Sequence, residues 1–305
     1  MIEKVGQSNL LDRCDQVVIY GANGWMGRSA LDFLSSISPS ATKRKVLLIG
    51  SRSSNLEIGN EIFEINDPVT GFSKIEMNAV FFNAAFIRRE FLQKMTPKEY
   101  LHKNEFIAKL PINALRGKKL FSFINLSSGV ARNLDLDSGI NPVDEYARLK
   151  KNLELEYAEL GSKNDTAIIN CRIFSLSGSY LNEFENLAIS SFIKQAKEHN
   201  RIKVLSPNTK RTYIDATNLA ATLLTVGSKG KASSFDSGGA LVTMHELAES
   251  IKVALNKDNC ELTLGNEESP DYFGDYKEFN VMASNVGQNL YGIGDQILRT
   301  LKAFN

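Results

Sequence analysis

Residues 16–27 read QVVIYGANGWMG: a short apolar run driven straight into three glycines spaced three apart, Gly21, Gly24 and Gly27. The next residues, GRSALDFLSSI (27–37), carry apolar side chains at helical spacing. Strand, glycine turn and helix in that order form a specific device. Glycine allows tight turning and close backbone approach, and the exposed N–H groups of a helix N-terminus suit a pyrophosphate. A plain strand–helix turn has no need of three spaced glycines. The loop positions assigned to a dinucleotide are Gly21, Asn23, Gly24, Trp25, Met26 and Gly27.

The alternation of apolar runs and helical segments continues down the chain. KVLLIGS (45–51), EIFEIND (61–67), NAVFFNAAF (78–86), LFSFINLSS (120–128) and TAIINCRIF (166–174) read as strands. Residues 98–115 read as helix, with a break expected at Pro111, and 144–160 as a long helix. Near-continuous Val, Ile and Phe runs alternating with helices imply a parallel sheet covered on both faces. The expected fold class is therefore α/β: a Rossmann-like doubly wound parallel sheet with a smaller C-terminal substrate lobe. The expected division is 12–175 for the dinucleotide-binding domain, with segments near 211–230 returning to it. Residues 176–210 and 231–305 are then the lobe.

Bulk properties exclude more than they select. The 305 residues carry 36 basic against 35 acidic side chains, a formal charge of +1, so nothing suggests nucleic acid or an anionic membrane as partner. No apolar run approaches a membrane span. The start, MIEKVGQSNLLDRCDQ, carries acids and lacks the apolar core of a secretory signal, so a cytoplasmic location is expected. Cys14, Cys171 and Cys260 lie far apart and away from the three histidines, so no metal is expected.

The stretch DEYARLKK (144–151) holds a tyrosine and a lysine four residues apart, Tyr146 and Lys150, and a helix brings such positions onto one face. Of the nine tyrosines, Tyr146 alone has lysine at that spacing. Solvated helices produce such pairs by chance, so its meaning depends on what surrounds it.

The GxxGxxG spacing, followed in order by strand-end serines and Tyr-x-x-x-Lys, resembles the extended short-chain dehydrogenase/reductase superfamily. The closest pattern is its NAD-dependent epimerase/dehydratase family of nucleotide-sugar enzymes. The resemblance runs over about residues 16–251. It implies Tyr146, Lys150 and Ser128 as catalytic residues, with Ser127 left open as the alternative hydroxyl. It also implies that Asn66 and Asp67 contact adenine, and that Asn83, Ala84, Ala85, Ile173 and Phe174 line the cofactor. Asn186 and Arg211 become candidate contacts of a substrate diphosphate, although Asn186 equally suits a helix N-cap. His245 falls on a surface helix.

The second strand ends LLIGSRSSN, without the acid that usually accepts from the ribose 2′-OH of NAD. Arg52 stands there instead and can pair with a 2′-phosphate, which favours NADP over NAD. The family's dehydratases carry Asp-Glu after the strand-end hydroxyl, where this chain has Gly129 and Val130. Reduction, oxidation or 4-epimerisation is therefore expected over dehydration. Family members commonly form homodimers through the tyrosine-bearing helix and its neighbour. Two other functions stay open: a reductase of a non-nucleotide ketone or aldehyde, and a non-catalytic NADP sensor. The last fifty residues match no pattern.

Overall fold

A computed structural model describes residues 10–87, 94–132, 144–181 and 187–304. The chain forms two compact units, one of residues 1–172 and 220–235, the other of 173–219 and 236–305.

The first unit begins with β1 (Val17–Tyr20), α1 (Trp25–Ile37), α2 (Pro39–Lys45) and β2 (Val46–Ile49). It continues through β3 (Ser54–Ile58), β4 (Glu61–Asn66), α3 (Pro68–Ser73), β5 (Val80–Asn83) and α4 (Pro97–Ala114). Then come β6 (Ser122–Ser128), α5 (Asp144–Asn164) and β7 (Ala167–Ile173). The second unit carries β8 (Ser175–Ser177), α6 (Ala188–His199), β9 (Arg201–Val204) and β10 (Lys210–Asp215). After α7 (Ala216–Gly227) and β11 (Ser233–Asp236) come β12 (Ala240–Thr243), α8 (Met244–Ala254), β13 (Glu261–Leu264), α9 (Tyr276–Asn285) and α10 (Ile293–Leu301).

Eight strands form one sheet in the order β11-β7-β6-β5-β1-β2-β4-β3. β1 pairs in parallel with β2 on one side and β5 on the other, and β5 with β6. Strand order reverses at β1, so the ends of β1 and β5 flank the crevice where such sheets take ligands. VVIY in β1 and VFFN in β5 are buried at every residue, as expected of strands covered on both faces.

Covering layers follow from helical periodicity. Leu149, Leu153, Tyr157 and Leu160 of α5 share one face and join a core with Phe81, Phe123 and Phe72. Phe81 and Phe123 stack at 4.9 Å, and Phe123 meets Tyr157 at 4.7 Å. Local signals set the helix starts. Asp67 caps α3 with Pro68 behind it, and Thr96 and Glu99 form a capping box on α4 ahead of Pro97. α4 is one helix that runs through Pro111, without the expected break.

One edge of the sheet is not legible from apolar runs alone. β3 pairs antiparallel with β4 across the Gly59-Asn60 turn, with Gly59 at φ +59°. A signal is present: Gly-Asn between alternating LEI and EIFEI is a hairpin pattern. The second unit holds two small sheets, β12-β10-β8 and β13-β9, around a core of Ile189, Ile193, Ile202, Leu247, Ile251 and Ile297. Among the described residues no helix is long and apolar enough to cross a membrane.

Candidate active site

Glycine chemistry shapes the loop after β1. Gly21 sits at φ +88°, and a Cβ there would meet Ala85 N at 2.6 Å and the Ala84 carbonyl carbon at 2.7 Å. A Cβ on Gly27 would lie 2.3 Å from the Gly21 carbonyl oxygen. These two glycines are thus required by the chain itself: Ala84 and Ala85 cross directly over the loop, and α1 packs against it. Gly24 differs. Its φ is −75°, open to any residue, and its nearest neighbour for a Cβ is Gly21 O at 3.2 Å. It forms the N-cap of α1 without a side-chain cap, and no acid occupies the first turn, where Trp25 and Met26 are buried. By contrast Ser38, Asp67, Thr96, Thr243 and Asp275 each cap their helices with a side chain. A 13-residue helix with open N–H groups behind a narrow glycine turn suits a dinucleotide diphosphate.

The remaining cofactor candidates divide. Arg52 is exposed at the end of β2, and Asn23 is exposed in the glycine loop. Asn83 is buried, donates to the Tyr157 hydroxyl at 3.1 Å, and leaves its Oδ1 without a partner. Asn66 and Asp67 are already engaged. Asn66 donates to Leu48 O and accepts from Lys74 Nζ at 2.7 Å. Asp67 accepts from Thr70 N and from Ser53 Oγ, and the Thr70 bonds hold its carboxyl below the usual carboxylate range. Phe174, in the second unit, donates its N–H to Ser237 Oγ and packs its ring on Tyr272 at 4.9 Å. Ile173 is half-buried beside it.

β6 and α5 are joined by two contacts that sort the serines. Lys150 Nζ donates to Leu126 O at 3.0 Å, and Ser127 Oγ donates to Glu154 Oε1 at 2.6 Å. Glu154 is itself clamped by Arg172 through both oxygens, at 3.0 and 2.8 Å. Ser127 Oγ is thus engaged by the Glu154–Arg172 pair, and Ser128 closes the strand as a buried residue. Sequence alone does not separate the two, because Glu154 is distant in the chain and Arg172 more distant still.

Tyr146 and Lys150 lie one turn apart on α5, and one ring touches both. Phe86 stands edge-on to Tyr146 at 5.9 Å, and Lys150 Nζ lies 3.5 Å from the centroid of its face. Burial lowers the Lys150 pKa from 10.5 to about 7, against the opposing pull of Glu154. A lysine with a depressed folded pKa holds fewer protons folded than unfolded between the two values. Unfolding there takes up a proton, so stability rises with pH across that window. Wild-type protein should therefore gain stability relative to Lys150→Met between about pH 7 and 10.5, with a flat difference below that window. Denaturant unfolding at several pH values reads this, and a difference independent of pH would refute the burial of this amine.

In the second unit Arg211 lies on β10 beside a cavity of about 400 Å³ lined by Ala188, Ser191, Gln195, Lys203, Ser206 and Thr209. Its guanidinium bonds the Tyr213 hydroxyl, while Nε is buried without a partner. α6, whose first residue lines the same cavity, has no side-chain cap. Asn186 lies outside the described residues. No sequence pattern singles out Tyr272 among the tyrosines of the tail. The tail runs beside β10: Tyr272 N donates to Lys210 O, Lys210 N donates to Asp271, and Tyr272 bridges to Arg211. No local pattern marks that pairing, since it joins segments far apart in the chain. His245 is exposed near Glu249 on α8. All three cysteines are buried thiols outside any disulfide.

Residues 17–236 match the model of the NAD dependent epimerase/dehydratase family, and the chain belongs to that family, in the extended branch of the short-chain dehydrogenases/reductases. Solved structures share the fold. UDP-glucose 4-epimerase from Thermotoga maritima is 15% identical, with a TM-score of 0.73 over 95% of this chain and 98% of that one. UDP-N-acetylglucosamine 4-epimerase from Methanobrevibacter ruminantium is 16% identical, with a TM-score of 0.70 over 95% and 98%. UDP-glucuronic acid 4-epimerase from Bacillus cereus, solved with UDP-glucuronic acid and NAD, is 12% identical, with a TM-score of 0.69 over 94% and 98%. No curated protein sequence is significantly similar to the chain. The chain carries the fold of an NAD-dependent epimerase/dehydratase-type enzyme.

Proposed function

We propose that the protein is an NAD(P)-dependent oxidoreductase or epimerase of a nucleotide-activated sugar, acting at C4 through Tyr146. The observation that carries the reaction class is the Tyr146–Lys150 pair, joined to the end of β6 through Leu126 O, with Ser127 engaged elsewhere. Tyr146 takes the proton of the sugar hydroxyl in oxidation and returns it in reduction. Lys150 stabilises the phenolate, and Ser128 holds the reacting oxygen. A bound nicotinamide supplies the two-electron acceptor and donor. Gly24, the N–H groups of Trp25 and Met26, and Asn83 would hold that cofactor, with Ala84 and Ala85 limiting its approach. Arg52 favours a 2′-phosphate and hence NADP.

Arg211 supports the nucleotide sugar: a guanidinium with an unpaired buried Nε beside a cavity is suited to a phosphate. Tyr272, in register with Arg211 and packed on Phe174, is the candidate contact for the sugar ring. Gly129 and Val130 supply no carboxylate after Ser128, which favours epimerisation or reduction over dehydration.

A thermal-unfolding screen of UDP, GDP, CDP and dTDP, each with NAD or NADP, tests this reading. One nucleoside diphosphate at roughly a hundredfold excess over Kd should stabilise by about 2.7 kcal/mol. Arg211→Met should abolish that shift and leave the cofactor shift intact. Arg52→Ala should weaken NADP and spare NAD. A protein stabilised by cofactor and by no nucleoside diphosphate points instead to a non-nucleotide ketone or aldehyde.

A further inference from the structure

The Tyr146–Lys150 pair has one neighbour with no role yet assigned. Phe86 follows Ala84 and Ala85 in the loop after β5, and its ring meets both side chains. Its ring makes a T-shaped contact with Tyr146, the planes at 72°, and turns its π-face to the Lys150 ammonium. Behind it stands Tyr100 of α4, buried and edge-on at 6.4 Å. Lys150 thus rests between a carbonyl oxygen, Leu126 O, and an aromatic face, both of which favour the charged amine over the neutral one.

We infer that Phe86 is a positioning residue for the Tyr146–Lys150 pair, holding the Lys150 ammonium by a cation–π contact while its T-shaped contact sets the Tyr146 ring. This rests on the reading of that pair as the proton-transfer centre. The other groups around Lys150 have their own ties. Glu154, one turn along α5, is bound to Arg172 of β7 and to Ser127 of β6. From α4 the group that reaches this cluster is the Tyr100 ring, and Arg132 closes the 3-10 turn after β6.

Two roles for the ring give different outcomes. A ring that holds the ammonium raises the Lys150 pKa, so Phe86→Leu, which keeps an apolar wall, lowers it further. A ring that merely excludes water is replaced in kind by leucine, so the same substitution leaves the pKa unchanged or raises it. The measurement is an NMR titration of lysine labelled with ¹³C at Cε in the full chain, with the Lys150 signal assigned by its loss in Lys150→Arg. The expected midpoint in Phe86→Leu falls by about one pH unit, and Phe86→Tyr, which keeps the π-face, stays close to wild type. An unchanged or raised midpoint in Phe86→Leu overturns the inference. Phe86→Tyr guards against a folding artefact: if it titrates like Phe86→Leu while both unfold at the wild-type temperature, the π-face is not what matters and the inference also fails. Turnover of Tyr146→Phe is read in parallel. Its retention sinks the proton-transfer reading whatever Lys150 does, and its loss with an unshifted Lys150 in Phe86→Leu sinks only the role of Phe86.

Discussion

Tyr146→Phe should lose turnover by roughly 10²–10⁴-fold while still binding cofactor, since the substitution removes one proton-transferring oxygen and little else. The expectation follows from pKa matching. A free phenol titrates near about 10, too high to act as a base at neutral pH without help. Help comes from the amine one turn away on α5, but that amine is itself perturbed: burial brings Lys150 to about 7. On the proposed reading, the ammonium form of Lys150 is what favours the Tyr146 phenolate. On the same reading, Lys150→Met should show the same loss in turnover with weaker cofactor binding. Ser128→Ala should cost more than Ser127→Ala in turnover, whereas Ser127→Ala acts through the Glu154–Arg172 pair. Near wild-type turnover in Tyr146→Phe would remove this residue from the mechanism.

Arg299→Met should destabilise the second unit by about 3–5 kcal/mol, the usual consequence of leaving a buried charge unpaired. Asp215, fully buried at the end of β10, accepts from Thr217 N at 2.9 Å and Asn218 N at 3.2 Å through one oxygen. Its other oxygen takes Arg299 Nε at 2.9 Å. Gly178, at φ +118°, passes so close that a Cβ there would lie 2.7 Å from that oxygen. Arg299 also donates to Thr217 Oγ1 and covers the Tyr291 ring at 4.7 Å. Denaturant unfolding measures the effect, and Asp215→Asn in the Arg299→Met background should recover part of it by removing the stranded charge. A single variant within about 0.5 kcal/mol of wild type would contradict the pairing.

Arg299 illustrates the reach of local sequence patterns. The glycine loop, the apolar strands and the Tyr146–Lys150 spacing are legible because period and turn chemistry act within a few residues. α10 and the segment around Tyr272 match no pattern, yet Gln296 bonds Ser177 and the Tyr213 carbonyl, and Arg299 completes Asp215. Such contacts depend on register between segments far apart in the chain, and no periodicity encodes them. The same holds for Ser127. Two adjacent serines look equivalent in a sequence, and only the arrival of Glu154 and Arg172 distinguishes them. Family resemblance makes Asn66 a candidate cofactor contact, and no local pattern marks the bonds its carboxamide makes with Lys74 and Leu48. Proline misleads in the other direction: Pro111 suggests a break that α4 does not make.

Tyr146, in this proposal, moves a proton on the oxygen of a nucleotide-linked sugar, and a bound nicotinamide would supply the two-electron acceptor or donor. The most direct test loads the protein with oxidised cofactor, adds a panel of UDP-, GDP-, CDP- and dTDP-hexoses, and follows the absorbance of reduced nicotinamide. The expected result is cofactor reduction with at least one of them, lost in Tyr146→Phe and in Arg211→Met. No reduction with any nucleotide sugar, alongside consumption of reduced cofactor by a simple ketone or aldehyde, would contradict it.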